Sequence, residues 1–138
     1  MTCPECGASD CKARFDECLA LEFSDLRYGA VHNLTVATYM LQHSSQLSRE
    51  GWLYERDLLR EFIVEGKSPS VIRQQVKDSV DSGKRTFKFK SKDGKPVIHK
   101  STWTRTILDV RTDNAETYCA DVDAWARSVL EEAQGLDV

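Results

Sequence analysis

Apolar positions along the chain fall into five helical stretches and one alternating stretch. From Cys11 to Phe23, the residues Phe15, Cys18, Leu19 and Phe23 recur at three- and four-residue steps, the period of a helix with one buried face. The turn-rich run Ser24 to Gly29 breaks it. Ala30 to His43 is a second helix, with Val31, Leu34, Thr38 and Leu41 on one face and His32, Val36, Tyr39 and His43 on another. A helix that is apolar on most sides sits deep in its bundle. Ser48 caps a third helix that runs to about Val64, turns Trp52, Leu59, Phe62 and Ile63 inward, and ends at Gly66. Ser68-Pro69 reads as an N-cap followed by the residue that tolerates the first helical position; Ile72, Val76 and Val80 follow, and Gly83 closes a fourth helix.

The texture then changes. Thr86-Phe87-Lys88-Phe89-Lys90 alternates at period two, and Asp93-Gly94 is a turn signal before Pro96-Val97-Ile98-His99, which predicts a two-stranded β-hairpin. Asp113 or Asn114 caps a last helix, whose buried stripe is Tyr118, Val122, Trp125 and Val129. The expectation is a mainly α chain, a bundle of about five helices with a small two-stranded β-hairpin and an N-terminal zinc knuckle. One domain over 1–138 would divide into a knuckle at 1–11, a helical core at 12–83, a basic hairpin at 84–100 and a C-terminal helical segment at 101–138.

Composition narrows the setting. No apolar run approaches the roughly 20 residues of a membrane span, so no membrane partner is expected. The opening Met1-Thr2-Cys3-Pro4-Glu5 lacks the basic and apolar regions of a signal peptide, which points to the cytoplasm. In a reducing compartment, five cysteines argue for thiol or metal chemistry rather than a disulfide frame. The net charge of −3 hides an asymmetry. Residues 84–105 carry eight cations against Asp93, a net of +7, which leaves −10 on the rest. Lys84, Arg85, Lys88, Lys90 and Lys92 are the candidate anion-binding residues of that patch.

The strongest chemical signal is Cys3-Pro4-Glu5-Cys6-Gly7 followed by Cys11. A Cys-x-x-Cys pair points two sulfurs inward across a tight turn, and Cys11 at a helix start is a natural third ligand. A redox pair would need a preceding strand, which two residues cannot supply. The plain alternative is a metal-free N-terminus with Cys11 merely buried. Cys18 and Cys119 read as core thiols. For the fourth ligand, His32 and His43 are eleven residues apart, a rise of about 16.5 Å on a straight helix. Two histidines on one zinc hold their α-carbons at most roughly 12–13 Å apart, so they cannot share an ion. An antiparallel hairpin about residue 26 would set Cys11 opposite the region of residue 41 and leave His32 near the turn. The expected zinc ligands are therefore Cys3, Cys6, Cys11 and His43.

His32 is then the only catalytic candidate, and Glu22, about one turn from the loop, is a conceivable carboxylate partner. His99, in the basic hairpin, reads as exposed.

Several segments together resemble a family of small bacterial proteins whose function has not been assigned. They are Cys3-x-x-Cys6-Gly7-Ala8, Cys11, Leu19-Ala20-x-Glu22-Phe23-Ser24-Asp25, Tyr28-x-x-Val31-His32-x-Leu34-x-Val36-x-x-Tyr39-x-x-Gln42-His43, Thr106-Ile107-x-Asp109-Val110 and Trp125-Ala126. The resemblance implies a mostly helical, metal-binding cytosolic protein and no particular reaction. The family pattern favours an acidic residue at the place of Ala37 and a proline at the place of Ser44. If that acid supports a catalytic histidine, the support is missing here.

Three functions fit these readings. One is a zinc-stabilised helical module that binds a protein partner. A second is a metal-dependent hydrolase using His32, disfavoured because thiolate-rich sites are usually closed. The third is nucleic-acid binding through the lysine-rich hairpin, with Phe87, Phe89 and Trp103 as stacking residues. The first, a non-enzymatic role, is favoured.

Overall fold

The computed structural model describes residues 2–67, 71, 74, 77, 89–136 and 138. Among them are five α-helices: α1 (Cys11–Ser24), α2 (Leu26–Gly29), α3 (His32–Gln42), α4 (Arg49–Ile63) and α5 (Ala115–Gln134). Single 3₁₀ turns lie at Ser44–Gln46 and Ile107–Asp109. The run read as a turn after α1 contains the one-turn helix α2. Asp25 makes both ends: its N–H closes on the Leu21 carbonyl to finish α1, and its carboxylate accepts from the Arg27 N–H to start α2. Ser48 caps α4 by accepting from the Gly51 N–H, and Asn114 caps α5 by accepting from Thr117. Each such cap stabilises a helix by about 1 kcal/mol.

Helix α3 is the centre of the bundle, packed on α4 and α5, which also touch each other. Trp52, Tyr118, Trp125, Leu41, Leu59, Ile107, Val122 and Val129 are fully buried. The indole N–H groups do not go unpaired. Trp52 donates to the Leu41 carbonyl at 3.0 Å and Trp125 to Gln42 Oε1 at 3.1 Å, while Gln42 donates to the Arg105 carbonyl at 2.8 Å.

Helices α1 and α3 run antiparallel, and their register can be read from three contacts. Cys11 meets His43, Phe15 stacks on Tyr39 and Glu22 meets His32. The midpoint of each pair is residue 27. That places the chemistry of the pair at its two ends, with a stacked aromatic contact between.

The expected hairpin is not supported. Among the described residues there is no strand, only isolated bridges between Thr2 and Ser9 and between Leu47 and Lys90. The backbone groups of 89–98 find other partners. Ser48 N–H donates to the Phe89 carbonyl and Ser91 N–H to the Gln46 carbonyl, so this stretch pairs with the lead-in to α4. On the return, Pro96 has no N–H to donate, and the amides of Val97 and Ile98 both donate to Ser44 Oγ. The Asp93-Gly94 turn does form, held by Ser91 Oγ and Asp93 Oδ1 rather than by a ladder. Apart from residues 71, 74 and 77, the predicted fourth helix from Ser68 to Gly83 lies outside the described residues, as does the hairpin's first half. Among the described residues, no helix is long and apolar enough to cross a membrane.

Candidate metal centre

The N-terminal segment folds back on itself before α1 begins. Cys3 N–H donates to the Ala8 carbonyl and Gly7 N–H to the Cys3 carbonyl, both at 2.8 Å, and the Ala8 amide donates to Cys6 Sγ at 3.4 Å. Gly7 has φ +82, a conformation that favours glycine. A Cβ there would lie 2.9 Å from the Ser101 carbonyl oxygen, so the turn is also pressed against the 101 segment. The loop presents Cys3 and Cys6 on one side, and the first residue of α1 adds Cys11.

The other half comes from the end of α3. His43 follows the last helical residue, and its Nδ1 donates to the Tyr39 carbonyl one turn back, at 2.7 Å. A carbonyl only accepts, so the proton sits on Nδ1 and the lone pair on Nε2. Tyr39 stacks on His43 with ring centres 3.9 Å apart, and Phe15 stacks on the far face of the arrangement, 3.8 Å from Tyr39. The imidazole is thus held in both rotation and tautomer, with Nε2 3.5 Å from Cys11 Sγ.

The ligating atoms of Cys3, Cys6, Cys11 and His43 all lie within 4.8 Å of one another. With Zn–S bonds of about 2.3 Å and Zn–N bonds of about 2.0 Å, a tetrahedral ion separates a sulfur from a nitrogen ligand by about 3.5 Å. The Cys11–His43 edge has that length. The electrostatics point the same way. Burial pushes the Cys6 thiol up to about 12, and the adjacent Cys11 and Cys3 charges add to it. Burial likewise raises Cys11. Burial works against the Cys3 thiolate too, but hydrogen bonds from the Cys6 and Glu5 backbone outweigh it and lower that pKa. His43 is lowered by burial, which keeps the ring neutral and ligand-competent. Three thiolates this close repel one another until a cation joins them. Three cysteines and one histidine in this arrangement can hold a metal ion.

Glu5, between the two knuckle cysteines, docks the loop onto the bundle. Its carboxylate accepts from the Ser45 N–H at 2.9 Å and the Ser45 hydroxyl at 2.8 Å, and its carbonyl accepts from Trp103 Nε1 at 3.1 Å. Sequence reasoning missed this role; a glutamate inside a Cys-x-x-Cys turn carries no spacing signal for a partner 40 residues away.

The remaining candidates lie elsewhere. His32 opens α3, at the far end of the helix from His43, with Nδ1 2.7 Å from Glu22. The other two groups on that carboxylate, Thr35 and Tyr118, were not foreseen. Cys18 is fully buried, and the Cys119 thiol donates to the Arg27 carbonyl. Lys90 and Lys92 are exposed and line a cleft of about 560 Å³ with Ser48, Arg49 and Lys95. Lys84, Arg85, Lys88 and Phe87 lie outside the described residues. Trp103, proposed to stack on bases, is buried against the knuckle, with the Lys100 ammonium 5.0 Å from its ring centre.

Fold and site define a helical protein with a cysteine–histidine cluster, able to hold a metal ion, where its N-terminal loop meets the end of its central helix. The chain belongs to a family of unknown function, DUF5946, whose sequence profile matches residues 1–134. No curated protein and no solved structure matches it.

Proposed function

We propose that the chain binds one zinc ion through Cys3, Cys6, Cys11 and His43, and that the metal is structural. The observation that carries this is the His43 imidazole, turned by its bond to the Tyr39 carbonyl so that the Nε2 lone pair enters the thiol cluster. Thiolate and imidazole ligands in a compact tetrahedral set suit zinc, and four protein ligands leave no position for a reacting water. The metal would clamp the knuckle to α1 and α3, in a helical module whose work is to bind a protein partner in the cytoplasm. The hydrolase reading with His32 beside the metal is not favoured, because the helix rise of about 16.5 Å separates His32 from His43. The nucleic-acid reading is weakened by the burial of Trp103.

Elemental analysis of protein purified without added metal tests the reading. One zinc per chain is expected, falling sharply in Cys6→Ser and His43→Ala. Chelation should lower the unfolding midpoint, since binding energy at such a site is folding energy. Metal content unchanged in both variants, or a midpoint indifferent to chelation, would defeat it.

A further inference from the structure

The opposite end of the α1–α3 pair holds a second polar cluster that the zinc reading leaves unused. Glu22 sits in the last part of α1 with its side chain fully buried. Its Oε1 accepts from His32 Nδ1 at 2.7 Å, and its Oε2 accepts from Thr35 Oγ1 at 2.6 Å and from the Tyr118 hydroxyl. Burying a carboxylate is costly even when it is well paired, and an apolar side chain there would serve packing alone at least as well. What the carboxylate does is fix the imidazole. With the proton held on Nδ1, the His32 lone pair is on Nε2, and among the described residues Nε2 has no hydrogen-bond partner. The His32 side chain is 30 % exposed. An oriented imidazole with an open Nε2 is the acting half of a carboxylate–histidine pair.

The surroundings indicate the substrate class. The Phe23 ring lies 5.0 Å from the imidazole and is 75 % exposed, and Leu26, which opens α2, is 90 % exposed. Arg27, the cation of that turn, is tied through Nε and a terminal nitrogen to Asp25. An exposed aromatic ring beside the imidazole, with the Arg27 charge already paired, fits a neutral electrophile with an apolar body better than a phosphorylated one.

We propose that His32 and Glu22 form a second, metal-independent site that hydrolyses activated carboxylic esters with apolar groups. Nε2 takes a proton from water as the water oxygen adds to the carbonyl carbon. The bond from that carbon to the leaving oxygen then breaks, and the proton passes from Nε2 to the leaving oxygen. The products are a carboxylic acid and an alcohol, and the charge carried by the ring in between is met by Glu22. His32 is the catalytic residue and Glu22 a positioning residue. The site is separate from the zinc reading and does not depend on it.

The test uses the full chain with p-nitrophenyl butyrate as the probe, alongside metal content and the near-ultraviolet circular dichroism of the tryptophans. His32→Gln should lower kcat/KM at least about a hundredfold, the lower end of what a positioned base contributes. His99→Gln, which removes another surface imidazole, should leave it unchanged. Glu22→Gln should lower kcat with KM held, and Phe23→Ala should raise KM with kcat held. Phe23→Ala changes only an exposed side chain, so it reports even where Glu22→Gln fails to fold. Equal losses in His32→Gln and His99→Gln, an undiminished rate in His32→Gln, or loss of the activity on stripping metal from a protein that stays folded would each overturn the proposal.

Discussion

Cys11 Sγ and His43 Nε2 lie 3.5 Å apart across 32 residues of sequence, joined by the antiparallel register of α1 on α3. In that register, a metal held by the cluster would lock the helix pair as well as the N-terminal loop. A ligand substitution should therefore be felt through α3, the helix that meets both α4 and α5.

His43→Ala removes the ligand and the ring that stacks on Tyr39 together, whereas His43→Gln retains some bulk. Both should reduce bound zinc, and His43→Ala should lower the thermal midpoint further. With chelator present the two variants should approach wild type, leaving a residue of about 1–2 kcal/mol for the lost packing. Calorimetry with and without chelator checks this. A difference from wild type that is the same in both conditions would show that His43 acts by packing alone.

Glu5 tests whether the knuckle must be docked for the site to hold metal. Glu5→Gln keeps the length but weakens acceptance from Ser45, and Trp103→Phe deletes the donor to the Glu5 carbonyl. Losing partners that orient a metal-bearing loop typically costs about 10–100-fold in affinity. Competition against a zinc-binding dye should place each variant in that range, with stoichiometry still one per chain. Affinities equal to wild type would mean that the four ligands organise themselves.

Much of this arrangement was legible in the sequence, for reasons that differ between its parts. The clustering of Cys3, Cys6, Cys11 and His43 follows from spacing and helix rise, because eleven residues of helix keep His32 and His43 apart and a chain reversal brings residue 43 back to residue 11. The observed midpoint of residue 27 lies one residue from the expected one, and that difference is what sets His43, rather than residue 41, opposite Cys11. The hairpin misled because alternation and an Asp-Gly turn report local preference only. The hydroxyl of Ser44, on a turn some fifty residues earlier, takes the amides that a strand partner would have bonded. Thr35 and Tyr118 around Glu22 were likewise invisible, since each reads in sequence as an ordinary core position of its helix.

Gly7→Ala probes the knuckle turn without touching a ligand. The substitution places a Cβ at positive φ and 2.9 Å from the Ser101 carbonyl oxygen, so strain and contact act together. A cost of about 1–3 kcal/mol is expected from the backbone conformation. Because the turn sets the Cys3–Cys6 spacing, it should appear mainly as weaker metal binding, read by zinc competition. A loss of the same size in metal-free protein would instead place the strain in the fold itself.

Asp121 gives a dependence on pH whose sign is fixed by its partner. Its carboxylate accepts from the Arg111 N–H and Nε at 2.9 Å and from a terminal nitrogen at 3.2 Å, joining the lead-in of α5 to the helix. The Arg111 side-chain hydrogen bonds hold this carboxyl below the ordinary range, with the Arg111 amide and charge adding to them and only partial burial opposing. A depressed folded-state pKa contributes stability that is present above the unfolded value of about 3.9 and is lost as pH falls through the folded one. Arg111 is two-thirds exposed, so solvent screening keeps the contribution below about 1 kcal/mol. Asp121→Asn should be less stable than wild type by that amount at pH 7 in low salt. The gap should narrow toward zero as pH falls from the unfolded value of about 3.9 down through the depressed folded one, below which the wild-type carboxyl is also neutral. Asp121 is not among the proposed metal ligands, so any acid release of metal would be common to both proteins and cancel in the difference. Urea unfolding of the pair at several pH values measures it; a gap that stays constant would assign the effect to geometry instead of charge.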